Sequence, residues 1–331
     1  MSASRAPAAP LGACPPCDVI LCGTCVADIL VRPVPLAVPP GAGKLFHVDP
    51  IRVTTGGIVC NTGTAMARLG MKVAASSLVG SDVWGEVIRA TLAGEGIATE
   101  ALEASDTVAT STTAFLIDPS GERSFAHHGG AAASIDLAFI RRQLPHFAAA
   151  RLALVGYLGL LPGLEPDLTE ALAKIRSTGC LVALETAGNG GTLAQVARAL
   201  ELVDVYVPSL DEACHQTGLD DPRAIIGCYR SHGAPGLVGV KLGTRGTLLS
   251  PNEGEWFEIP CFQAPGPVVD TTGAGDSLLA GLLTGLLRGM PAREAGLLGA
   301  ATAACCVTGL GATEGLRGFD ETARLAGLQS P

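Results

Sequence analysis

The chain has 331 residues, of which 48% are hydrophobic and only 4% aromatic, with 43 glycines, 11 cysteines and a formal net charge of −9. This length accommodates one large α/β domain or two smaller ones, with a core built mainly from Ala, Leu, Val and Ile. A negative charge without any long basic run argues against nucleic acid or an anionic membrane surface as a partner. The odd number of scattered cysteines, and residues 1–10 without an apolar segment, favour free thiols in the cytoplasm.

The N-terminal part predicts a tail, a strand and a small β element. Residues 1–16 are rich in Ala and Pro, and we expect a disordered tail that precedes a single domain at 17–331. Asp18–Gly23 predicts a buried strand. The proline-rich segment from about residue 29 to 53 cannot form a helix or a central strand, so we expect it to supply the strands of a small lid, with 110–128 as a second candidate. Cys14 and Cys17 have a C-x-x-C spacing, but they precede the first strand, which disfavours a redox role.

Helices and strands alternate through the rest of the chain. The expected elements are a helix at Ile58–Leu69, a strand at Val73–Val79, a helix at Asp82–Ala93, a hairpin of Thr110–Ile117 and Arg123–His128, strand–helix pairs from Leu152 to Lys241, an edge pair at Thr247–Ser250 and Glu255–Ile259, and helices at Ser277–Arg288, Pro291–Val307 and Asp320–Ala326. Apolar strands of this kind predict a parallel sheet that is covered by helices on both faces. Ala295–Ala312 lacks charge but is short and rich in small residues, so it predicts a buried helix instead of a membrane span.

The stretch Val268–Asp276 combines two β-branched residues, a Gly-Ala-Gly turn and a carboxylate, and an apolar segment follows it. This pattern predicts a strand that turns sharply into a helix. Gly273 and Gly275 allow a ligand to approach closely, and the start of the helix offers N–H groups and a positive dipole to phosphate oxygens. Asp276 is compatible with two roles here, a helix cap or a base that takes a proton from the group attacking the phosphate.

The sequence Asp270-Thr-Thr-Gly-Ala-Gly-Asp276, followed by Ser-Leu-Leu-Ala-Gly281, resembles the C-terminal signature of the ribokinase-like (PfkB) carbohydrate kinases. Together with further motifs, the resemblance spans about residues 18 to 316. It implies an α/β three-layer sandwich with a central, mostly parallel sheet and a small β lid. It also implies that Asp276 is the catalytic base. The implied anion hole consists of Gly273, Ala274 and Gly275.

The N-terminal half carries the motifs that the resemblance assigns to the substrate. Gly56-Gly57-Ile-Val-Cys-Asn61 is similar to the family's substrate motif, and Asp28 matches an Asp that binds sugar hydroxyls. A polyol requires carboxylate acceptors, an amide that donates and accepts, and a glycine backbone that permits close approach, so these residue types fit. Val26 and Ile58 stand where ribokinase itself carries Asn and Lys, so the sugar end differs from that of a standard ribokinase.

A second glycine turn, Lys241-Leu-Gly243-Thr-Arg-Gly246, follows a predicted buried strand and gives a flat shelf on which a nucleotide could lie. It resembles the family's loop beside the adenine site. Lys241 would lie at the carboxyl edge of the sheet, where open α/β sheets bind ligands. The nucleotide residues implied by both signatures are Lys241, Gly243, Gly246, Thr272, Gly273 and Gly275.

Two cation expectations also come from the resemblance. Pro208–Glu212 is similar to the family's N-x-x-E motif, with Ser209 in place of Asn, so Glu212 is expected to hold Mg²⁺ indirectly. A monovalent cation such as K⁺ is an open expectation near Asp270, Thr272 and the turn around Gly311.

The expected reaction is ATP-dependent phosphorylation of a hydroxymethyl group on a sugar or sugar-like substrate, with Mg²⁺ on the ATP. A homodimer through the lid is expected, because exposed strands tend to pair. Two alternatives stay open. One is a nucleoside kinase, but purine stacking needs aromatic residues near the site, and the N-terminal half offers few: Phe46, Trp84, Phe115 and Phe125. The other is a non-catalytic sugar-binding regulator with the kinase fold, against which the intact Asp276 and Gly-Ala-Gly turn argue.

Three polar side chains of the predicted hairpin remain. The adjacent residues His127 and His128 point to opposite faces of a strand, which makes a poor metal site but allows one of them to face a ligand. For Arg123, a solvated strand face is favoured over an inward position in which the side chain would bind an acid or phosphate group.

Overall fold

Apolar strands and amphipathic helices alternate along the chain, and the structure, a computed structural model, describes residues 16–37, 43–188 and 190–328. The strands are β1 (Cys17–Gly23), β2 (Val26–Val31), β3 (Arg52–Gly56), β4 (Val73–Gly80), β5 (Leu102–Ser105), β6 (Thr112–Ile117), β7 (Arg123–His128), β8 (Ala150–Leu158), β9 (Leu181–Thr186), β10 (Val205–Tyr206), β11 (Leu237–Lys241), β12 (Thr247–Ser250) and β13 (Phe257–Ile259). The α-helices are α1 (Gly57–Arg68), α2 (Val83–Gly94), α3 (Leu137–Phe147), α4 (Leu168–Arg176), α5 (Leu193–Leu200), α6 (Leu210–Thr217), α7 (Pro222–Ser231), α8 (Ala274–Leu287), α9 (Ala292–Cys306) and α10 (Phe319–Leu325).

The main sheet has the strand order β13-β12-β11-β10-β9-β8-β1-β4-β5. Its strand pairs are parallel except β11–β12 and β12–β13, which are antiparallel, and β12 and β13 are the predicted pair at the sheet edge. Parallel neighbours need long crossover connections, and the helices provide them. Helices α1, α2, α8 and α9 pack on one face of the sheet and α3 to α7 on the other. This arrangement confirms the predicted three-layer sandwich with a mostly parallel sheet.

A smaller sheet has the order β3-β2-β6-β7. Strand β2 pairs antiparallel with β3 and parallel with β6, and β6 and β7 form the predicted hairpin. Asp118 fixes the hairpin turn, because its Oδ1 accepts hydrogen bonds from the N–H groups of Ser120 (2.7 Å) and Glu122 (3.0 Å). Of the proline-rich segment, the described residues 32–37 and 43–51 form no strand, and pairing is confined to its flanks.

Several local expectations differ from the structure. The predicted strand at Val268–Val269 is wrong: both side chains are more than half exposed, and residues 260–273, between β13 and α8, form no helix or strand. Helix α3 was not predicted, because Pro145 lies inside it and proline normally ends a helix. Most of the expected tail, including Cys14, lies outside the described residues. Cys17 is buried in β1, and no disulfide joins two cysteines among the described residues.

Helices α8 and α9 pack closely because small residues line their contact. A Cβ atom on Gly281 would lie 2.4 Å from Thr302 Oγ1 and 2.7 Å from Gly299 Cα. The uncharged stretch that begins at Ala295 is therefore mostly a buried helix, as predicted. Among the described residues, no helix has the length and apolar character needed to cross a membrane. This tight pair fixes α8, whose first turn carries Asp276.

The strand order reverses at β1, since the chain proceeds from β1 to β4 and β5 on one side and later to β8 through β13 on the other. Open α/β sheets bind ligands beyond the carboxyl ends of their strands at such a reversal. Tyr157, Glu185 and Lys241 lie at the carboxyl ends of β8, β9 and β11. The fold therefore brings side chains that are distant in sequence to one edge of the sheet.

Candidate active site

Asp276 lies in the first turn of α8 and is only 6% exposed. The N-cap of α8 is Gly273, with a φ of 76°, so the helix-cap interpretation of Asp276 is wrong. A Cβ atom on Gly273 would lie 2.5 Å from the Cβ of Ala312. This position therefore requires glycine both for its backbone conformation and for space. The turn places the Asp276 carboxylate in the first turn of the helix, where the positive end of the helix dipole lies.

One oxygen of this carboxylate is held by two donors. Asp276 Oδ2 accepts hydrogen bonds from Asn61 Nδ2 (2.8 Å) and from the Tyr157 hydroxyl (2.7 Å). Within the described part of the chain, no protein donor reaches Oδ1. Burial raises the pKa of Asp276, and the hydrogen bonds from Tyr157 and Asn61 act in the opposite direction. The arrangement leaves Oδ1 able to accept a proton, while Oδ2 fixes the orientation of the group.

A cavity of about 520 Å³ opens beside Asp276. In its wall Lys241 Nζ donates to Glu185 Oε1 at 2.5 Å, and the two side chains are 11% and 3% exposed. Burial acts to lower the pKa of Lys241, but the carboxylates of Glu185, Glu212 and Asp276 raise it above its ordinary value. Burial raises the pKa of Glu185 in spite of the nearby ammonium. Lys241 therefore remains a cation within an otherwise acidic cavity.

The expected nucleotide residues fall into two groups. Gly243 and Gly246 have positive φ angles of 60° and 90° and bound the short turn after β11. A Cβ atom on Gly246 would lie 2.0 Å from the carbonyl oxygen of Ile259, so this glycine is needed for close packing. It is not among the residues that line the cavity, and Thr272 lines a neighbouring one. The expected residues that do line the 520 Å³ cavity are Lys241, Gly243, Gly273, Ala274, Gly275, Glu212 and Asp276.

Ser209, which stands in place of the family's Asn, caps α6 and holds Glu212 in the cavity wall. The hydroxyl and the N–H of Ser209 donate to Glu212 Oε2 at 2.7 and 2.8 Å, and the N–H of Glu212 donates back to Ser209 Oγ at 3.3 Å. Such a reciprocal capping box satisfies the free N–H groups at a helix start. The substitution therefore keeps the Glu212 carboxylate fixed at the cavity.

A second cavity, of about 910 Å³, lies between the small sheet and the carboxyl edge of the main sheet. Tyr157 lines both cavities, and Asn61 lines the larger one. Tyr157 has a φ of 64°, which is rare for a residue other than glycine, at an irregularity in the pairing of β8 and β9. Backbone strain of this kind costs ~1–3 kcal/mol and concentrates at functional sites. The strained tyrosine thus stands at the junction of the two cavities.

The expected substrate residues Asp28, Gly56 and Gly57 all line the larger cavity. A Cβ atom on Gly56 would lie 2.2 Å from Asp28 Oδ2, and one on Gly57, whose φ is 82°, would lie 2.4 Å from the carbonyl oxygen of Thr24. Gly56 therefore makes room for the Asp28 carboxylate, and Gly57 allows close packing against Thr24. Burial raises the pKa of Asp28 to about 7, against the lowering effect of a hydrogen bond with Thr113.

We predict that Asp28 binds substrate hydroxyls and that this binding strengthens as the pH rises through 7. Because the pKa is raised, the carboxyl is largely protonated below this value, and the ionised form, which accepts from two hydroxyls, gains population above it. The KM for the sugar should fall several-fold between about pH 6 and about pH 8 in the wild type, and this change should be absent in Asp28→Asn. A wild-type KM that is constant over this range would contradict the prediction.

Arg123 reaches from β7 of the small sheet to the segment just before α8. Its Nη1 donates to Thr272 Oγ1 (2.5 Å) and its Nη2 to Asp270 Oδ1 (2.7 Å), so the expected solvated position is wrong. Asp270 also accepts from the N–H groups of Thr272 (2.8 Å) and Gly311 (2.9 Å). Burial acts to raise the pKa of Asp270, but these hydrogen bonds lower it. Both oxygens of the Asp270 carboxylate are therefore occupied by donors of the protein.

Tyr157 and Glu185 were not among the residues singled out from the sequence. Both sit at the end of an apolar strand, and a lone acidic residue after Leu181–Leu184 is a signal that could have indicated Glu185. No local signal marks Tyr157, since its partner Asp276 is 119 residues away. The link from Asn61 to Asp276 spans 215 residues and is likewise invisible in the sequence.

The site places a buried carboxylate between two cavities at the carboxyl edge of the main sheet, and comparisons with known proteins show the class of protein to which it belongs. A family model described as pfkB family carbohydrate kinase matches residues 23–317. The chain is 30% identical over 281 residues to the fructokinase of Salmonella typhimurium (81% of this chain, 84% of that protein) and 30% identical over 308 residues to the ribokinase of Haemophilus influenzae (91% and 95%). The ribokinase of Arabidopsis thaliana, solved in complex with ribose and ATP, has the same fold with a TM-score of 0.79 at 21% identity, covering 95% of this chain and 99% of that one.

The chain therefore belongs to the pfkB family of carbohydrate kinases. This membership places it among the phosphotransferases that use an alcohol group as acceptor.

Proposed function

We propose that the protein transfers the terminal phosphoryl group of ATP to a hydroxymethyl group of a sugar or a sugar-containing substrate, with Asp276 as the base. The observation that carries the proposal is the position of this buried carboxylate. It lines the 520 Å³ cavity, while its donors Asn61 and Tyr157 line the 910 Å³ cavity. A substrate hydroxyl in the larger cavity would meet Oδ1, and a phosphate in the smaller one would meet the start of α8.

The chain's own groups can stabilise the transferring phosphoryl group. Asp276 takes the proton of the attacking hydroxyl, and the N–H groups at Gly273–Gly275, with the positive end of the α8 dipole, bind the phosphate oxygens. A Cβ atom on Gly275 would lie 3.5 Å from Lys241 Nζ, so the ammonium stands directly beside this turn. Lys241 thereby adds a buried positive charge to the same place.

The cavity also fits Mg²⁺ bound to the ATP phosphates. Glu212 lines it, and Glu185 Oε2 has no hydrogen-bond partner among the described residues. Carboxylate oxygens suit the water shell that Mg²⁺ usually retains, and Mg²⁺ neutralises phosphate charge during phosphoryl transfer. We do not extend the proposal to K⁺ at Asp270, because Arg123 and two backbone N–H groups already donate to that carboxylate.

The proposal is tested by ADP release with Mg-ATP over a panel of ribose, fructose, other ketoses, sugar acids and nucleosides. We expect ADP release with at least one sugar-containing compound, and phosphate on its hydroxymethyl group in the product. ADP release that is independent of every acceptor, or a phosphorylated position other than a hydroxymethyl group, would contradict the proposal. The regulator alternative predicts binding without ADP release.

Tyr157→Phe should move the acidic limb of the kcat–pH profile to higher pH by about one unit, with ATP binding unchanged. The hydrogen bond from Tyr157 lowers the pKa of Asp276, so its loss raises the pH at which the base ionises. A hydrogen bond to a charged group contributes ~1.5–3 kcal/mol, and one pKa unit corresponds to ~1.4 kcal/mol. Tyr229→Phe, which removes another buried hydroxyl, one that donates to Gln216 at 2.6 Å, is the control. An acidic limb at the same pH in Tyr157→Phe and the wild type would argue against this role.

We further propose that the small sheet is a lid that closes over the substrate and that its outer face joins two copies into a homodimer. This face presents Ile29, Val53 and Ala114 side by side, and Val53 is 44% exposed. Light scattering should then give the mass of a dimer for the wild type. The Val53→Lys variant should have the mass of a monomer, because the charge would be buried in the interface. A monomeric wild type would refute the dimer.

We expect the protein to act in the cytoplasm, without nucleic acid or membrane partners.

A further inference from the structure

The face of the small sheet that lines the 910 Å³ cavity carries a row of polar side chains. Strand register places Thr54, Asp28, Thr113 and His127 side by side across β3, β2, β6 and β7. All four line the cavity. Thr113 Oγ1 lies 3.0 Å from His127 Nδ1, and Asp28 is the register partner of Thr113 on the neighbouring strand. The row is a continuous set of hydroxyl, carboxylate and imidazole groups, which suits the hydroxyls of a sugar.

The next row on the same face is apolar on β2, β6 and β7, and its member on β3 is Arg52. Leu30, Phe115 and Phe125 are neighbours there, two residues along their strands from the polar row. Because a strand rises ~3.3 Å per residue, the rows lie ~7 Å apart. The rings of Phe115 and Phe125 meet edge to face, with centroids 5.0 Å apart. Phe125 lines the cavity and is nevertheless 60% exposed, so an aromatic surface is open to the ligand.

The polar row lies nearer to Asp276 than the apolar row does, as the order of residues along β3 shows. Gly56 pairs with Val26, Thr54 with Asp28, and Arg52 with Leu30, so the polar row lies between the glycine pair and the apolar row. Strand β3 runs directly into α1, which carries Asn61 against Asp276. A ligand whose sugar lies on the polar row has its reacting end toward Asp276 and its other end toward Phe115 and Phe125.

From this pairing of rows we propose that the substrate is a sugar linked to a planar aromatic group, with the sugar hydroxyls on Asp28, Thr113 and His127 and the aromatic ring on Phe115 and Phe125. The inference rests on the proposed kinase function and narrows its substrate class. A free pentose or hexose bears oxygen on nearly every carbon and would leave the apolar row facing water. The cavity is near the upper end of the ~300–1,000 Å³ usual for small-molecule sites, which leaves room for both parts.

The aromatic group could be a nucleobase or another aryl aglycone, and binding measurements separate the two. Calorimetry without ATP would compare ribose and fructose with adenosine, cytidine and 4-nitrophenyl riboside. We expect at least one aromatic riboside to bind about tenfold or more tightly than both free sugars. Binding of nucleosides alone identifies a nucleobase, and equal binding of the nitrophenyl riboside identifies any aryl group. Equal or tighter binding of the free sugars, or no binding by any aromatic riboside, would overturn the inference.

Phe125→Ala tests the aromatic surface itself. It should weaken binding of the aromatic riboside about tenfold and leave free-sugar binding within about twofold. Phe46→Ala is the matched control, because Phe46 does not line the cavity. Unchanged riboside affinity in Phe125→Ala would overturn the inference. If the ribosides bind as expected but Mg-ATP yields no ADP, the kinase proposal fails while the substrate class stands.

Discussion

Asp276→Asn is expected to lower turnover about a hundredfold or more while the fold and ATP binding persist. A positioned general base contributes ~10²–10⁴ in rate, and the amide cannot accept the proton of the substrate hydroxyl. The amide oxygen can still accept from Asn61 and Tyr157, so the local geometry is retained. Because burial raises the pKa of Asp276, its ionised form destabilises the fold. The variant should therefore unfold at the same or a higher temperature at neutral pH.

Turnover would be measured by ADP release, and nucleotide affinity by calorimetry with a non-hydrolysable ATP analogue. Asp136→Asn is a suitable control, since Asp136 caps α3 away from both cavities and Asn caps helices equally well. Turnover of Asp276→Asn within a few-fold of the wild type would exclude the carboxylate as the base. Lost ATP binding would show a structural role instead.

Lys241→Met is expected to have the largest effect on stability, a loss of ~3–5 kcal/mol, together with weaker ATP binding. Removal of one partner of a buried ion pair leaves the other charge uncompensated. Glu185 is 3% exposed and would be left in this state at alkaline pH, where it is ionised. Because burial already raises the pKa of Glu185, it takes up a proton as the pH falls, and the loss should be smaller at neutral and acidic pH. Adding Glu185→Gln removes the uncompensated charge, so the double variant should recover stability without recovering ATP affinity.

Denaturant unfolding of the two variants and calorimetry with the ATP analogue measure both effects. Lys174→Met serves as the control, because the Lys174–Glu170 pair is exposed and a pair of this kind contributes at most ~1 kcal/mol. A stability for Lys241→Met equal to that of the control would contradict a buried, charged pair. Recovery of ATP affinity in the double variant would show that Lys241 does not contact the nucleotide.

The layers of the fold follow from local patterns in the sequence. Apolar runs such as Leu237–Lys241 and periodic segments such as Pro222–Ser231 coincide with β11 and α7. Local sequence patterns predicted the wrong structure where tertiary packing outweighs the local preference of the residues. The β-branched pair Val268–Val269 is exposed and irregular, and Pro145 is tolerated inside α3. The pairing of β2 with β6 joins residues 85 positions apart, which local periodicity does not reveal.

The residues of the site also fall into those that local motifs indicate and those that only the tertiary structure reveals. The motifs indicated Asp276 and the glycines around it, because special backbone conformations and phosphate chemistry leave a local signature. The contacts that orient Asp276 come from α1 and β8, and the charge beside Asp270 comes from the small sheet through Arg123. Only the tertiary fold brings these groups together, and the polar and apolar rows of the cavity likewise emerge from strand register.

The central claim is that Asp276 stands between a sugar-containing substrate and ATP with Oδ1 toward the reacting hydroxyl. A crystal structure of the protein tests it most directly, with two ligands bound: the unphosphorylated substrate found in the ADP-release panel and a non-hydrolysable ATP analogue. The account predicts the hydroxymethyl oxygen ~2.6–3.2 Å from Oδ1, with the terminal phosphate against the N–H groups of Gly273–Gly275. A nucleotide bound away from the start of α8, or a substrate whose hydroxymethyl group lies out of reach of Asp276, would contradict it.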